Sequence, residues 1–232
     1  KTVVVAGGAK ISDKINVLKQ FVQAGVKAIF IGGKMANTFL IAQKSKTKMV
    51  PFGLSDIPRT LLSSSEESNK ILVNEVSLAR EVLDFASDKK VNLVFPDDYK
   101  CVDKFKAPTF FIAAEPDFEK VLQLDLGPKT IENFKNTILS NGTENVFWNG
   151  PLGAYDHPTN HDYAEGSLEL AQLLFEEALT NPKFSVVIGG GDSAAILNKI
   201  GANQLKNLIK RCIERQLADP INRDLLSMEF PV

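Results

Sequence analysis

Four apolar runs in this 232-residue chain end in glycine turns, and that repetition restricts the available folds more than any other feature. Val3-Val4-Val5-Ala6 runs into Gly7-Gly8, and Ala28-Ile29-Phe30-Ile31 into Gly32-Gly33. Val146-Phe147-Trp148 runs into Asn149-Gly150, and Val186-Val187-Ile188 into Gly189-Gly190-Gly191. A helical pattern follows the first, second and fourth directly, and the third after a short polar loop. Strands alternating with helices predict a parallel sheet with right-handed crossovers. The expected fold class is α/β: an open, mostly parallel sheet with helices on both faces, Rossmann-like and three-layered, with an extra C-terminal helix. In such a sheet the glycine turns all lie at the carboxyl ends of the strands, where ligands bind. Glycine lets backbone N–H groups approach an anion, and a helix N-terminus adds about half a positive charge, so these turns suit phosphate.

The helices are read from apolar spacing. Ile15, Leu18, Phe21 and Val22 share one helical face, with Ser12 or Asp13 placed to cap it. A short helix is expected over Met35 to Gln43, then an irregular excursion over 44–64 containing Pro51 and Pro58. Leu72, Val76, Ala79, Leu83 and Ala86 give the cleanest 3.6-residue period and lead into a strand from Val91 to Phe95. Phe110 to Ile112 and Val121 to Leu126 are candidate strands, because Pro108 and Pro116 argue against helix there. Pro128 opens a helix with Ile131, Phe134 and Ile138 inward. A long helix from about Asp162 to Leu179 and another from Ser193 complete the alternation.

With 44% hydrophobic and 24% charged residues, the chain can bury a substantial core. A net charge of −1 gives no reason to expect nucleic acid or an anionic membrane as partner, so any phosphate site must be local. Cys101 and Cys212 are too few for a disulfide framework, and His157 and His161 too few for a histidine-rich metal site. No apolar run reaches about 18 residues and no signal-peptide layout opens the chain, so a cytoplasmic location is expected. The start at Lys1, directly into a strand, points to an interior piece of a longer protein.

Several segments carry candidate chemistry. Gly7-Gly8-Ala9-Lys10-Ile11-Ser12-Asp13-Lys14 places two lysines four apart at the start of a helix, where cations are unfavourable without a compensating anion. A solvated basic turn is the bland reading. Gly189-Gly190-Gly191-Asp192-Ser193 places a carboxylate and a hydroxyl just after three glycines. They could cap the helix, or the amides could hold phosphate while Asp192 meets magnesium or its waters. Asn149-Gly150-Pro151-Leu152-Gly153-Ala154-Tyr155-Asp156 is either a long surface loop or a rigid turn presenting Asp156 to a ribose. The Walker A pattern is absent, since Met35 follows Gly33-Lys34 and position 28 is not glycine. Gly189, Gly191 and Ala194 fit half of a dinucleotide fingerprint, but no second strand ending in an acid follows.

Taken together, these residues resemble the nucleotide-binding C-terminal half of phosphoglycerate kinase. The matching pieces run in family order over about residues 2–201: Gly7-Gly8-Ala9-Lys10 to Lys14, then Ile31-Gly32-Gly33-Lys34-Met35-Ala36-Asn37-Thr38-Phe39-Leu40. Phe95-Pro96-Asp97-Asp98 through Asp103-Lys104-Phe105 follow, then Leu126-Gly127-Pro128-Lys129-Thr130-Ile131, Phe147 to Pro151, and Gly189 to Ser193. The resemblance implies a domain over 1–201 that binds ADP/ATP with Mg2+. By it Lys10 would neutralise the phosphoryl group in transfer, and Lys14 would contact the nucleotide phosphates. Gly8, Gly32, Gly33, Asn149 and Pro151 would line the nucleotide cleft, and Asp156, where the family usually has Glu, would bind the ribose. Gly189, Gly190, Gly191, Asp192 and Ser193 would hold phosphate, with Asp192 serving the metal. The family reaction moves phosphate between 1,3-bisphosphoglycerate and ADP, giving 3-phosphoglycerate and ATP.

Departures accompany the match. The family's N-terminal half, with its phosphoglycerate site, is missing, so the chain alone is expected to be inactive and to meet phosphoglycerate only if that half is supplied. Lys34 stands where a third glycine is usual. A final serine/threonine- and glycine-rich loop is not found after Gly201. Residues 202–232 instead carry a stripe of Leu205, Leu208, Ile209, Cys212 and Ile213, stopped at Asp219-Pro220. This tail faintly resembles the C-terminal end of AAA+ disaggregases, with Asn203 in place of their arginine. The alternative function is a non-catalytic, kinase-derived scaffold assembling through that tail.

Overall fold

The computed structural model describes residues 1–44, 64–103, 110–113, 121–139, 142–156, 161–197 and 210. Most of the 44–64 excursion, His157 and the tail at 202–232 apart from Lys210 therefore lie outside the described residues.

Five strands form one parallel sheet: β1 (Thr2–Ala6), β2 (Ala28–Ile31), β3 (Asn92–Val94), β7 (Asn145–Asn149) and β8 (Ser185–Gly189). Their order is β3-β2-β1-β7-β8. The chain builds outward from β1 on one side and returns to β1's other side with β7, which makes the β1/β7 boundary the switch point. Register aligns Ala6 with Ile31 and with Asn149, and Asn149 with Gly189, so all four glycine turns leave the sheet along one edge.

Alternation along the strands divides the core in two. Val4, Ala6, Ile29 and Ile31 face α1 (Ile15–Gln23), α2 (Lys34–Lys44) and α3 (Glu66–Asp88) through Leu18, Val22, Met35, Phe39, Val76 and Ala79. Val3, Val5, Phe30, Val146 and Trp148 face α4 (Pro128–Leu139) and α5 (Glu165–Thr180) through Phe134, Ile138, Leu170 and Leu174. Helices on both faces make the expected three-layer fold. Strands buried on both faces need continuous apolar runs, which is what β1 and β2 supply.

One expectation is corrected, and one strand goes beyond the sequence reading. The N-cap of α1 is Lys14, whose side chain makes no capping hydrogen bond, while Ser12 and Asp13 are exposed in the turn before it. A second sheet, antiparallel and ordered β5-β4-β6, joins the fold from β4 (Tyr99–Asp103), β5 (Phe110–Ala113) and β6 (Val121–Leu126). The two candidate strands are thus present, and β4 between them went unread.

The junction from that sheet into α4 is locked by Asp98 and Thr130. The Asp98 carboxylate accepts from Thr130 N at 2.8 Å and Lys129 N at 3.2 Å, satisfying amides at the helix start. Thr130 Oγ1 accepts in turn from Asp97 N and Asp98 N, both at 2.9 Å. Gly127 is required there because a Cβ would collide with the Asp98 carboxylate. The Phe95-to-Asp98 and Leu126-to-Ile131 motifs thus hold the architecture together.

Candidate functional site

The turns after β1, β2 and β7 press together backbone against backbone. Gly7 N donates to Asn149 O at 2.9 Å, Gly33 N to Leu152 O at 3.1 Å, and Met35 N to Gly8 O at 3.0 Å. A Cβ on Gly7 would fall inside the Pro151 carbonyl group, and one on Gly33 would lie 2.7 Å from Gly8 N. Gly33 also has φ +67° and Gly8 φ +135°, conformations that side-chain-bearing residues rarely adopt. The glycines serve this three-way approach as well as any ligand.

The Asn149–Asp156 loop is fixed from several sides. Trp148 Nε1 donates to Gly150 O at 2.8 Å, Gly150 N donates to Ser193 Oγ at 2.8 Å, and Ala154 N to Leu124 O at 2.7 Å. Lys14 Nζ donates to Asn149 Oδ1. Gly189 and Gly190 lie against the same Asn149 amide. Lys14, Asn149, Gly189, Gly190 and Ser193 therefore gather around one turn, although the chain supplies them from three separate segments.

A cleft of about 710 Å³ opens beside this junction. Gly8, Gly33, Pro151, Asp156 and Asp192 line it, as does Lys34 at the start of α2. Asp192 lies inside the first turn of α6 (Gly191–Leu197), and its Oδ1 accepts from Tyr155 Oη at 2.9 Å. Burial and the hydrogen bond to Asp192 raise the Tyr155 pKa. Gly32 is packed under Leu152, behind the cleft. Lys10 is exposed on the loop ahead of Lys14, and Gly191 is exposed with open space about its Cα. Lys14 and Asp192 thus contact the same Asn149–Asp156 loop, at Asn149 and at Tyr155, while neither Lys10 nor Lys14 lines the cleft.

Three contributors escaped the sequence reading. Glu75, on α3 and 7% exposed, accepts from Ile11 N at 2.6 Å and Ser12 N at 3.2 Å, both on Oε2. Those two amides of the lysine loop are therefore occupied by a carboxylate of the protein. Its signal was present: Glu75 interrupts the apolar face of Leu72, Val76 and Ala79 at helical spacing. Asp125, 3% exposed on the cleft wall, accepts from Leu126 N at 2.9 Å and Gly166 N at 2.8 Å. Burial pushes its pKa up to about 7 against the lowering effect of those bonds. Tyr155 was quoted only as loop.

Magnesium binding can be tested against these residues. Among the described residues no group of three or more His, Cys, Asp or Glu is placed to hold a metal ion. Mg2+ is commonly held by one or two carboxylates together with substrate phosphates and waters. The exposed Asp192 carboxylate fits that mode of binding.

A glycine-turn cleft at the switch point of a parallel sheet defines a doubly wound α/β protein, whose ligands bind at this position. The family model "Phosphoglycerate kinase" matches residues 1–209, and the chain belongs to that family. The phosphoglycerate kinase of Oenococcus oeni is 39% identical over 202 residues, covering 86% of this chain and 42% of that protein. That of Clostridioides difficile is 36% identical over 199 residues, covering 85% and 42%. The chain therefore spans less than half the length of these relatives. The phosphoglycerate kinase structure from Coxiella burnetii shares the fold, with TM-score 0.63 at 24% identity over 88% of this chain and 45% of that one.

No helix among the described residues is long and apolar enough to cross a membrane.

Proposed function

We propose that this chain is the ADP/ATP–Mg2+ binding half of a phosphoglycerate kinase-like phosphotransferase. In that role the whole protein interconverts 1,3-bisphosphoglycerate and ADP with 3-phosphoglycerate and ATP. The reading rests chiefly on one observation: Asp156 and Asp192 line a cleft beside the glycine turns at the switch point, and Lys14 is bonded to Asn149 at the start of the loop that carries Asp156.

Phosphoryl transfer needs positioning and charge stabilisation more than covalent chemistry from the protein. Lys14 and the turns at Gly8, Gly33 and Gly189–Ser193 hold the polyphosphate, and Asp156 holds the ribose. Asp192 receives the Mg2+ bound to the phosphates, which supplies further neutralisation of charge. Lys10, exposed and unconfined by the cleft, reaches the phosphoryl group once the acceptor half closes over it. The 232-residue chain alone binds nucleotide without transferring phosphate.

Calorimetric titration with ADP tests this reading. Lys14→Ala is expected to weaken ADP binding by about ten-fold or more, the scale of one lost charge-assisted contact. Asp192→Ala is expected to weaken it with Mg2+ present and leave it unchanged in chelator. No binding at millimolar ADP, or an Asp192 effect indifferent to Mg2+, refutes the assignment.

A further inference from the structure

An aspartate in the first turn of a helix ordinarily serves that helix, by accepting from its free amides or by meeting the positive end of its dipole. Asp192 stands in the first turn of α6, yet its carboxylate accepts no backbone amide among the described residues. Its one hydrogen bond there comes from another element, the Tyr155 hydroxyl, which donates to Oδ1 at 2.9 Å. Oδ2 has neither a hydrogen bond nor an ion pair among the described residues. Asp192 is exposed, and both residues line the cleft.

Holding the loop does not require that bond. Gly150 N donates to Ser193 Oγ at 2.8 Å, a buried contact that already fastens the Asn149–Asp156 loop to the same turn of α6. Ala154 N, next to Tyr155, donates to Leu124 O at 2.7 Å and fastens the far end of the loop to β6. An exposed hydroxyl that exchanges a water for a carboxylate adds little to a loop so held. What it does fix is the carboxylate, which would otherwise rotate freely in solvent.

We propose that Tyr155 is a positioning residue for the metal carboxylate: its hydroxyl occupies Asp192 Oδ1 and leaves Oδ2 for a Mg2+ ion carried by the nucleotide phosphates. The proposal rests on the nucleotide and Mg2+ reading above and adds the residue that sets the carboxylate. Mg2+ demands near-octahedral geometry and takes few protein oxygens beside phosphates and waters, so the angle of a single carboxylate counts. Hydrogen bonds to the far oxygen of a ligating carboxylate fix that angle.

Calorimetry on the full 232-residue chain compares ADP binding with Mg2+ and in chelator for the unaltered chain, Tyr155→Phe, Asp192→Ala and the double variant. Tyr155→Phe removes only the hydroxyl and is expected to weaken binding with Mg2+ by about ten-fold. That is the lower end of the cost of losing an outer-shell hydrogen bond, since this one is exposed. In chelator Tyr155→Phe is expected to bind ADP as the unaltered chain does. In the Asp192→Ala background the same change is expected to add nothing, because the group it positions is gone. The melting temperature without ligand is expected to be unchanged, with Ser193 and Leu124 still holding the loop.

An equal loss with and without Mg2+, or a full loss in the Asp192→Ala background, overturns the positioning role. So does a Tyr155→Phe chain that responds to Mg2+ like the unaltered one while Asp192→Ala does not respond; the nucleotide reading then stands. A clear drop in the unliganded melting temperature overturns it too, by making the bond a support of the fold. If the unaltered chain fails to bind ADP, or binds it without regard to Mg2+, both readings fall.

Discussion

Replacing Glu75 by alanine removes a carboxylate that holds the lysine loop. Its Oε2 accepts two backbone amides, from Ile11 and Ser12, at 2.6 and 3.2 Å. Ile11 is fully buried, so its N–H has no water to turn to, and an orphaned buried donor costs about 1–3 kcal/mol. Ser12 is exposed and its amide regains solvent. Release of a buried carboxylate from its desolvation offsets part of the loss. The net effect is about 2 kcal/mol, which for a domain of this size lowers the melting temperature by roughly 4–8 °C. Glu75→Gln retains a carbonyl oxygen able to accept both amides, and is expected to lose roughly 1 kcal/mol or less. Thermal melts of the three chains, with urea midpoints as a check, measure the difference. If Glu75→Ala melts within a degree of the unaltered chain, or if the glutamine variant is the worse of the two, the carboxylate does not support the loop.

Two further outcomes follow from the same geometry. Gly7→Ala drives a methyl group into the Pro151 carbonyl, so the β1 and β7 turns must separate; a loss of about 2–4 kcal/mol in urea unfolding is expected, and an unchanged midpoint would contradict the close approach. Asp125 has a folded pKa near 7, above its unfolded value of 3.8, so the native state holds the proton more tightly. The stabilisation from that protonated form is full below about pH 4 and fades as pH rises through 7. Melts from pH 5 to 8 are therefore expected to decline less for Asp125→Asn than for the unaltered chain, and parallel curves would refute the assignment.

The parallel sheet, its three layers and the edge where the glycine turns lie were legible because each depends on local pattern. Val3 to Ala6 and Ala28 to Ile31 are continuous apolar runs ended by glycine, and the α3 stripe repeats at helical spacing. β4 was not legible: Tyr99-Lys100-Cys101-Val102-Asp103 has weak alternation, and pairing with β5 and β6 is what makes it a strand. The cap on α1 was misread for a related reason. Ser12 and Asp13 are good capping residues in isolation, yet the neighbouring amides are met by a glutamate 63 and 64 residues away.

Local sequence thus determined which segments are strands and helices, and that their glycine ends would share an edge, since backbone preference and apolar period act over a few residues. Only tertiary structure decided what meets at that edge. Lys14 with Asn149, Ser193 with Gly150 and Tyr155 with Asp192 are 135, 43 and 37 residues apart in sequence. Side-chain partners at such separations are set by packing of whole layers, and no short stretch of chain encodes them.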